Sequence, residues 1–180
     1  MNIALIGFRC SGKTAAGKIL AQGLGCDFID IDEIIASEKG KSITGIFKED
    51  GEAAFRRLEA TALRKVLSGD NQVIACGGGV VLIEENVALL RERSIVVWLA
   101  ATPRTCAERM REDEQKGIKR PSLTGAPPVE EIESLLANRL PLYEEVCNYR
   151  IDTDAISPRR VAERIRREIG NKHPQEINND

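Results

Sequence analysis

A glycine-rich segment near the amino terminus constrains the fold of this chain more than any other feature. Residues 7–14 read G-F-R-C-S-G-K-T, which matches the phosphate-binding loop pattern G-x-x-x-x-G-K-[ST]. The segment follows an apolar run, Ile3–Ile6, and precedes a helical pattern over residues 15–24. This order places the N–H groups and the positive dipole end of a helix against phosphate oxygens. The sequence therefore predicts that the chain binds a nucleoside triphosphate.

Individual loop residues have expected contacts. Lys13 can reach the terminal phosphates, and the Thr14 hydroxyl can ligate Mg²⁺. Cys10 lies near a helix amino terminus, where the pKa of a thiol can be lowered, but a small loop-lining residue is preferred to a redox switch. The nucleotide-binding residues predicted within the loop are Gly7, Cys10, Ser11, Gly12, Lys13 and Thr14.

Composition excludes several classes of protein. A chain of 180 residues that is 42% hydrophobic can bury one core and is expected to form one domain. A net charge of -2 argues against nucleic acid or an anionic membrane as a partner. The five cysteines are scattered without C-x-x-C spacing and are expected to be reduced thiols. With no signal peptide or membrane span predicted, we expect a cytoplasmic protein.

Short apolar runs alternate with helical patterns along the chain. The predicted strands are Ile3–Ile6, Phe28–Ile31, Val73–Cys76, Ile95–Leu99 and Tyr149–Ile151. The predicted helices lie near residues 15–24, 51–68, 84–92, 103–112, 129–147 and 158–169. Thr102-Pro103 and Ser157-Pro158 each place a capping residue before a proline at the first helical position. The alternation predicts an α/β fold with a parallel sheet and helices on both faces.

Three strands are followed by chemically unusual residues at the rim where ligands bind in such sheets. One is the phosphate loop, and the second is the pair Asp30 and Asp32. If the strand continues through them, the two carboxylates share a face roughly 7 Å apart. One could then hold Mg²⁺ through water while the other accepts a proton. An equally weighted alternative is that Asp32 caps a following helix.

The third rim segment is Gly77-Gly78-Gly79. Three glycines leave no side chain between the backbone and a ligand, so close approach is favoured over a flexible turn. Arg56 and Arg139 are candidate anion clamps, although an isolated helical arginine is more often a solvated surface residue. Pro141 follows Arg139 closely and predicts a kink, because it leaves the Ala137 carbonyl without its helical partner.

The charged stretch 111–117 and the residues after it have the composition of a lid. A kinase needs a lid to exclude water and to bring a cation to the transferring phosphoryl group. Arg120 is the candidate cation, and a plain solvated loop is the alternative of comparable weight.

Taken together, these residues resemble the shikimate kinase family from about Asn2 to Arg167. The phosphate loop alone is shared by many ATPases and GTPases, but the combination is more specific. Beyond the loop, the motifs in the family's order are Asp30-Ile31-Asp32, Gly40-Lys41-Ser42-Ile43 leading to Ile46-Phe47, Phe55-Arg56-Arg57-Leu58-Glu59, Gly77-Gly78-Gly79, Arg120-Pro121-Ser122-Leu123, and Arg139 with Pro141-Leu142-Tyr143. Two departures are Cys10, where the family often has glycine, and a longer segment between Arg109 and Arg120.

The resemblance implies a monomeric three-layer sandwich whose five-stranded parallel sheet has the order 2-3-1-4-5. It also implies transfer of the ATP γ-phosphoryl group to the 3-hydroxyl of shikimate, in the pathway to chorismate and aromatic amino acids. The kinase domain would span residues 1–170, with substrate-binding helices near 31–60 and a lid near 111–126. Residues 171–180 would be a frayed tail.

The resemblance further implies roles for the motif residues. Lys13 and Thr14 would serve ATP and Mg²⁺, and Asp30 would support the metal through water. Asp32 would bind the acceptor hydroxyl and act as base. Arg56 and Arg139 would hold the shikimate carboxylate, and Arg120 would contact the phosphates. The residues expected to contact the shikimate ring or shape its pocket are Phe47, Phe55, Glu59, Gly77, Gly78 and Gly79. The residues expected to flank adenine are Arg109, Ser157 and Pro158.

Three rival functions differ from this one in testable ways. A gluconate kinase-like enzyme would bind ATP identically but would not require the Arg56 and Arg139 clamp. A GTPase switch should contain N-K-x-D and D-x-x-G motifs, and neither occurs in the sequence. The third rival, a catalytically silent relative, is disfavoured by the complete set of candidate catalytic residues.

Overall fold

The computed structural model describes residues 1–117 and 128–172 of the chain. Arg120 and the rest of the predicted lid beyond residue 117 lie outside these ranges, as do residues 173–180. The helices and strands of the described part are β1 (Asn2–Ile6), α1 (Lys13–Leu24), β2 (Asp27–Asp30), α2 (Ile31–Lys39), α3 (Ile43–Leu67), β3 (Gln72–Ala75), a 3-10 helix (Val80–Leu82), α4 (Glu84–Arg93), β4 (Ile95–Ala100), α5 (Pro103–Gln115), α6 (Pro128–Val146), β5 (Tyr149–Asp152) and α7 (Pro158–Lys172).

The strands form one parallel sheet in the order β2-β3-β1-β4-β5. Alternation along β1 explains why helices cover both faces. Ala4 and Ile6 pack in a core with residues of α2 to α6, whereas Ile3 and Leu5 pack in a second core with α1 and α7. The predicted three-layer α/β architecture and strand order are confirmed.

The junction between β2 and α2 differs from the prediction. The sequence predicts a strand through Ile31, with Asp30 and Asp32 on one face. In the structure β2 ends at Asp30, because Asp30 Oδ1 accepts a hydrogen bond from the Asp32 N–H (3.0 Å) and caps α2. The shared-face prediction is therefore wrong. The capping alternative is also corrected, since Asp30 rather than Asp32 is the cap.

Helices α3, α5 and α7 each extend three or more residues beyond their predicted limits. The helix predicted over residues 51–68 is the second part of α3, which begins at Ile43 and crosses non-helical backbone at Gly51 (φ 80°, ψ 169°). Helix α7 runs through Lys172, two residues into the segment predicted as a tail. Helix α6 continues across Pro141, in agreement with the helix predicted over residues 129–147.

The two predicted proline-associated caps are confirmed. The Thr102 side chain accepts a hydrogen bond from the Thr105 N–H (3.3 Å) at the start of α5. Ser157 Oγ accepts one from the Arg160 N–H (3.4 Å) at the start of α7. These short polar side chains satisfy helix N–H groups that would otherwise lack partners.

Candidate active site

The phosphate loop joins β1 to α1 at the carboxyl edge of the sheet. Gly12 occupies the cap position of α1 with φ 97°, a left-handed conformation that suits glycine, and no side chain caps the helix. The first-turn N–H groups are therefore not occupied by a side-chain cap, and such groups bind anions. Lys13 Nζ donates to the carbonyls of Gly7 (2.8 Å) and Phe8 (2.9 Å). Its ammonium group thus lies across the loop.

Cys10 adopts a left-handed backbone with φ 63° in the same loop. A side chain at such an angle is strained, and glycine adopts it more easily. This explains in physical terms why glycine suits the position.

Asp30 links the phosphate loop to the second rim segment. Thr14 Oγ1 donates to Asp30 Oδ2 (2.8 Å), while the other carboxylate oxygen of Asp30 caps α2. Asp32 follows in the first turn of α2 and lines the same cavity as Thr14 and Asp30. The two carboxylates therefore have different surroundings, because one is committed to a cap and to Thr14.

A cavity of about 510 Å³ extends from the phosphate loop to α5 and the start of α7. Its wall contains most of the predicted nucleotide-binding residues, namely Cys10, Ser11, Gly12, Lys13, Thr14, Arg109 and Pro158. Gly7 and Ser157 are not part of this wall. Gly7 instead accepts a hydrogen bond from Lys13, and the Ser157 side chain caps α7.

The triglycine segment brings the two candidate clamp arginines together. Arg139 Nη1 donates to the Gly78 carbonyl (3.1 Å), and a Cβ on Gly79 would overlap the guanidinium group of Arg56. Arg139 is 6% exposed and the Arg56 side chain 13% exposed, so the surface alternative is wrong for both. A side chain at Gly79 would displace Arg56, so the triglycine backbone lies in close contact with this arginine, and the close approach of a ligand to these glycines stays a prediction.

The buried carboxylate of Glu59 binds Arg56, one of these two arginines. Its Oε2 accepts a hydrogen bond from Arg56 Nη1 (2.8 Å), and the residue is fully buried. Its other oxygen, Oε1, lies against Gly77 without a hydrogen-bond partner. Burial raises the pKa of Glu59, and Arg56 only partly opposes this shift. Burial lowers the pKa of Arg56, but its bonds to Glu59 and Glu52 outweigh burial and raise it.

One phenylalanine of the predicted pocket, Phe55, packs against Arg56, and the other, Phe47, packs against Phe55. The rings of Phe47 and Phe55 are 4.6 Å apart, and the Arg56 guanidinium lies 5.3 Å from the centre of the Phe55 ring. Such a contact adds a cation–π attraction to the ion pairs of Arg56. The two rings, Glu59 and Arg56 thus form one cluster on α3, and their role in a substrate pocket stays a prediction.

Three further residues join these loops and were not assigned from the sequence. Arg9 of the phosphate loop forms an ion pair with the buried Glu131 of α6. Tyr143 O–H donates to the Gly78 carbonyl (2.5 Å), and burial raises the pKa of Tyr143. Tyr143 lies in the P-L-Y motif and Arg9 in the phosphate-loop pattern, so these local patterns weakly indicate that both belong to the site. For Glu131 there is no such indication.

The described residues also show the state of the cysteines and whether a membrane span or a metal-binding cluster is present. All five cysteines are free thiols, as predicted, and burial raises the pKa of Cys106 to about 11. Within residues 1–117 and 128–172, none of the helices combines the length and apolar character that a membrane span requires. The same residues contain no group of three or more His, Cys, Asp or Glu side chains that could hold a metal ion.

Comparison with known proteins identifies relatives over nearly the whole chain. Residues 9–170 match the protein-family model described as shikimate kinase. A curated shikimate kinase of Symbiobacterium thermophilum is 42% identical over 166 residues, which cover 92% of this chain and 94% of that protein. A shikimate kinase of Thermodesulfovibrio yellowstonii is 41% identical over 93% of this chain and 94% of its own length.

Solved structures agree with the sequence comparison. The shikimate kinase of Acinetobacter baumannii in complex with shikimate superimposes with a TM-score of 0.89 at 35% identity, covering 96% of this chain and 94% of that one. A gluconokinase of Sinorhizobium meliloti superimposes with a TM-score of 0.57 at 22% identity, covering 97% of this chain and 96% of that one, which shows a shared fold alone.

Proposed function

The chain belongs to the shikimate kinase family of ATP-dependent phosphotransferases, and we propose that it transfers the γ-phosphoryl group of ATP to the 3-hydroxyl of shikimate. The products are shikimate 3-phosphate and ADP, in the pathway to chorismate and the aromatic amino acids. The observation that carries this proposal is the meeting of two buried arginines at the triglycine segment, beside a cavity built on a phosphate loop.

ATP binds along the cavity in this proposal. The phosphates lie against the N–H groups at the start of α1, and Lys13 exchanges its loop carbonyls for phosphate oxygens. Adenine lies farther out, between Arg109 and the turn that includes Ser157 and Pro158. The support is that Arg109 and Pro158 line the same cavity as the loop.

Shikimate carries one carboxylate and three hydroxyls. Arg56 and Arg139 hold the carboxylate, because a planar guanidinium fork matches two carboxylate oxygens. Gly77, Gly78 and Gly79 face the ring hydroxyls, and Phe47, Phe55 and Glu59 shape the pocket. The contacts of Phe55 and Glu59 with Arg56, and of Phe47 with Phe55, support this assignment.

Asp32 binds the acceptor hydroxyl and takes its proton as that oxygen attacks the γ-phosphorus. The bond between the γ-phosphorus and the bridging oxygen of ADP breaks in the same transfer. The place of Asp32 in the cavity wall, next to Gly77, supports this role. Arg120 is proposed to approach the phosphates from the lid.

Mg²⁺ fits the residues at the phosphate loop. The Thr14 hydroxyl and the Asp30 carboxylate are oxygen ligands 2.8 Å apart, and Mg²⁺ bound to nucleotides usually takes only one or two protein ligands. Thr14 would hold the ion directly and Asp30 through water. The ion would neutralise charge on the phosphates.

We also propose that the protein acts as a cytoplasmic monomer.

The first experiment measures ADP release with ATP and Mg²⁺ in the presence of shikimate, gluconate or no acceptor. Release that depends on shikimate, with shikimate 3-phosphate identified by ³¹P NMR, is the expected result. Release with gluconate alone, or equal release without acceptor, would overturn the substrate assignment while leaving the nucleotide site. ATP binding without turnover of either acceptor would favour the silent relative.

A further inference from the structure

The guanidinium group of Arg109 is bound by a single residue at two points. Arg109 Nη2 donates to the Thr153 carbonyl (2.6 Å), and Nη1 donates to Thr153 Oγ1 (3.2 Å). Nη1 also donates to the carbonyl of Cys10 in the phosphate loop (3.2 Å). Because these N–H bonds lie in the guanidinium plane, the three acceptors fix the orientation of that plane.

Thr153 is itself held rigidly at the end of β5. Its N–H (2.8 Å) and its hydroxyl (3.1 Å) both donate to the carbonyl of Ala100, the last residue of β4. The residue is 1% exposed. The hydroxyl therefore has one fixed arrangement, in which its proton binds Ala100 and its lone pair binds Arg109.

The neighbouring residue fixes the rest of the turn. Asp154 Oδ1 accepts hydrogen bonds from the N–H (3.1 Å) and hydroxyl (3.4 Å) of Thr102 at the start of α5. The turn between β5 and α7 is thus attached to the helix that carries Arg109. Arg109 and Thr153 both line the cavity, with Ile156 and Pro158 in the same wall.

We propose that Thr153 is a positioning residue for the nucleobase of ATP, acting through Arg109. Hydrogen bonds in the plane of the guanidinium group leave its flat faces without hydrogen bonds, and a guanidinium face stacks on an aromatic ring. Thr153 holds that face at the cavity wall, so that the base enters a preformed slot. This inference rests on the proposed nucleotide site and names a residue that the proposed reaction does not otherwise use.

The test compares two substitutions, one that replaces the hydroxyl by a methyl group and one that removes the methyl group. Thr153→Val removes the hydroxyl that Arg109 binds, whereas Thr153→Ser retains it. Thr61→Val is the matched control, because Thr61 also donates its hydroxyl to a backbone carbonyl, that of Arg57 (2.9 Å), but lies on α3 outside the cavity wall. Calorimetry measures the dissociation constants of ATP and of inorganic tripolyphosphate, which has phosphates but no base.

We expect Thr153→Val to weaken ATP binding roughly three- to tenfold, the size of a lost cation–π contact, and to leave tripolyphosphate binding within about twofold. Thr153→Ser and Thr61→Val should bind ATP as the wild type does, and KM for shikimate should be unchanged in all three. Equal weakening of ATP and tripolyphosphate would overturn the proposal, because the residue would then act on the phosphate loop. Unchanged ATP binding would overturn it too.

The outcome is independent of the acceptor, since binding is measured without shikimate. A failure of the proposed reaction would appear in the turnover assay and not in these dissociation constants. If Thr153→Val does not fold, Thr153→Ala removes the same hydroxyl with less bulk and is read in the same way. If neither variant folds, the hydroxyl serves the fold and the proposal is overturned.

Discussion

Asp30 and Asp32, two neighbouring carboxylates at the carboxyl edge of the sheet, differ in the hydrogen bonds that they accept. Asp30 uses one oxygen to cap α2 and the other to accept from Thr14. Asp32 faces Gly77 in the cavity wall, near the buried Glu59. Asp30 is thereby committed to the fold and to Thr14, which agrees with the separate roles proposed for Asp30 at the metal and Asp32 at the acceptor hydroxyl.

Asp32→Asn should lower kcat by about 10²- to 10⁴-fold, because the amide cannot take the acceptor proton. ATP affinity should change by less than about threefold, since the triphosphate contacts other groups of the cavity. Steady-state kinetics and ATP titration measure the two effects. Asp27→Asn, at an exposed position of β2, is the control and should behave as the wild type. Near-normal turnover of Asp32→Asn would show that the base is another group.

Glu59 should make stability depend on pH in a direction opposite to most carboxylates. Because burial raises its pKa in the folded state above the unfolded value of 4.5, the folded protein gains stability as it takes up a proton. This contribution is complete below the unfolded pKa and is lost as pH rises through the folded pKa. The wild type should therefore gain stability relative to Glu59→Gln as the pH falls towards 4.5. Urea unfolding of both proteins at several pH values measures the difference, and a constant difference would contradict the shift.

At the scale of elements, the capping side chain decides where β2 gives way to α2. Ile29, Ile31 and the two aspartates fit an alternating strand, yet the chain turns helical at Ile31. The cap at Asp30 satisfies the Asp32 N–H, and Ile31 and Ile35 enter the core from the helix. Burial of these side chains and the cap favour the helix together.

Asp30→Ala should lower the free energy of unfolding by about 1 kcal/mol through loss of the cap, and should also weaken turnover at limiting Mg²⁺. Ser42→Ala is its matched control, because Ser42 caps α3 by accepting from the Gly45 N–H (3.1 Å) but is exposed outside the cavity wall. It should lose similar stability and keep full activity. Equal activity loss in both variants would mean that Asp30 acts only through the fold.

At the scale of the whole molecule, α6 connects two loops that follow different strands of the sheet, the phosphate loop after β1 and the triglycine segment after β3. Glu131 binds Arg9 of the phosphate loop, while Arg139 and Tyr143 bind the Gly78 carbonyl. Arg9 and Arg139 also lie over the Phe8 ring, 5.5 and 5.6 Å from its centre. One helix thus contacts both the phosphate loop and the triglycine segment.

Glu131→Gln should lower the free energy of unfolding by about 3 kcal/mol, because it removes the carboxylate that neutralises a largely buried arginine. The double variant Arg9→Met, Glu131→Leu should lose less than the sum of its single changes, which denaturant unfolding in a double-mutant cycle measures. The exposed pair Arg104 and Glu108 is the control, and Glu108→Gln should change stability by less than about 0.5 kcal/mol. Additive effects at Arg9 and Glu131 would rule out coupling.

Features that depend on residues close together in the chain could be predicted from local patterns. The phosphate loop, the alternation of strands and helices and the proline-associated caps follow from patterns a few residues long. Each has a local physical cause: the conformational freedom of glycine, the fixed φ of proline, or a capping side chain. The strand order came from resemblance to a family rather than from such patterns.

The burial of charged residues and their long-range contacts depend on the folded arrangement of the whole chain. Arg56 and Arg139 have the sequence context of surface arginines, yet the sheet places both beside the triglycine segment. The partners Arg9 and Glu131 are 122 residues apart, and Arg109 and Thr153 are 44 apart. Contacts of this kind leave no periodic signal, because they form only when parallel strands bring the loops at their carboxyl ends to one edge.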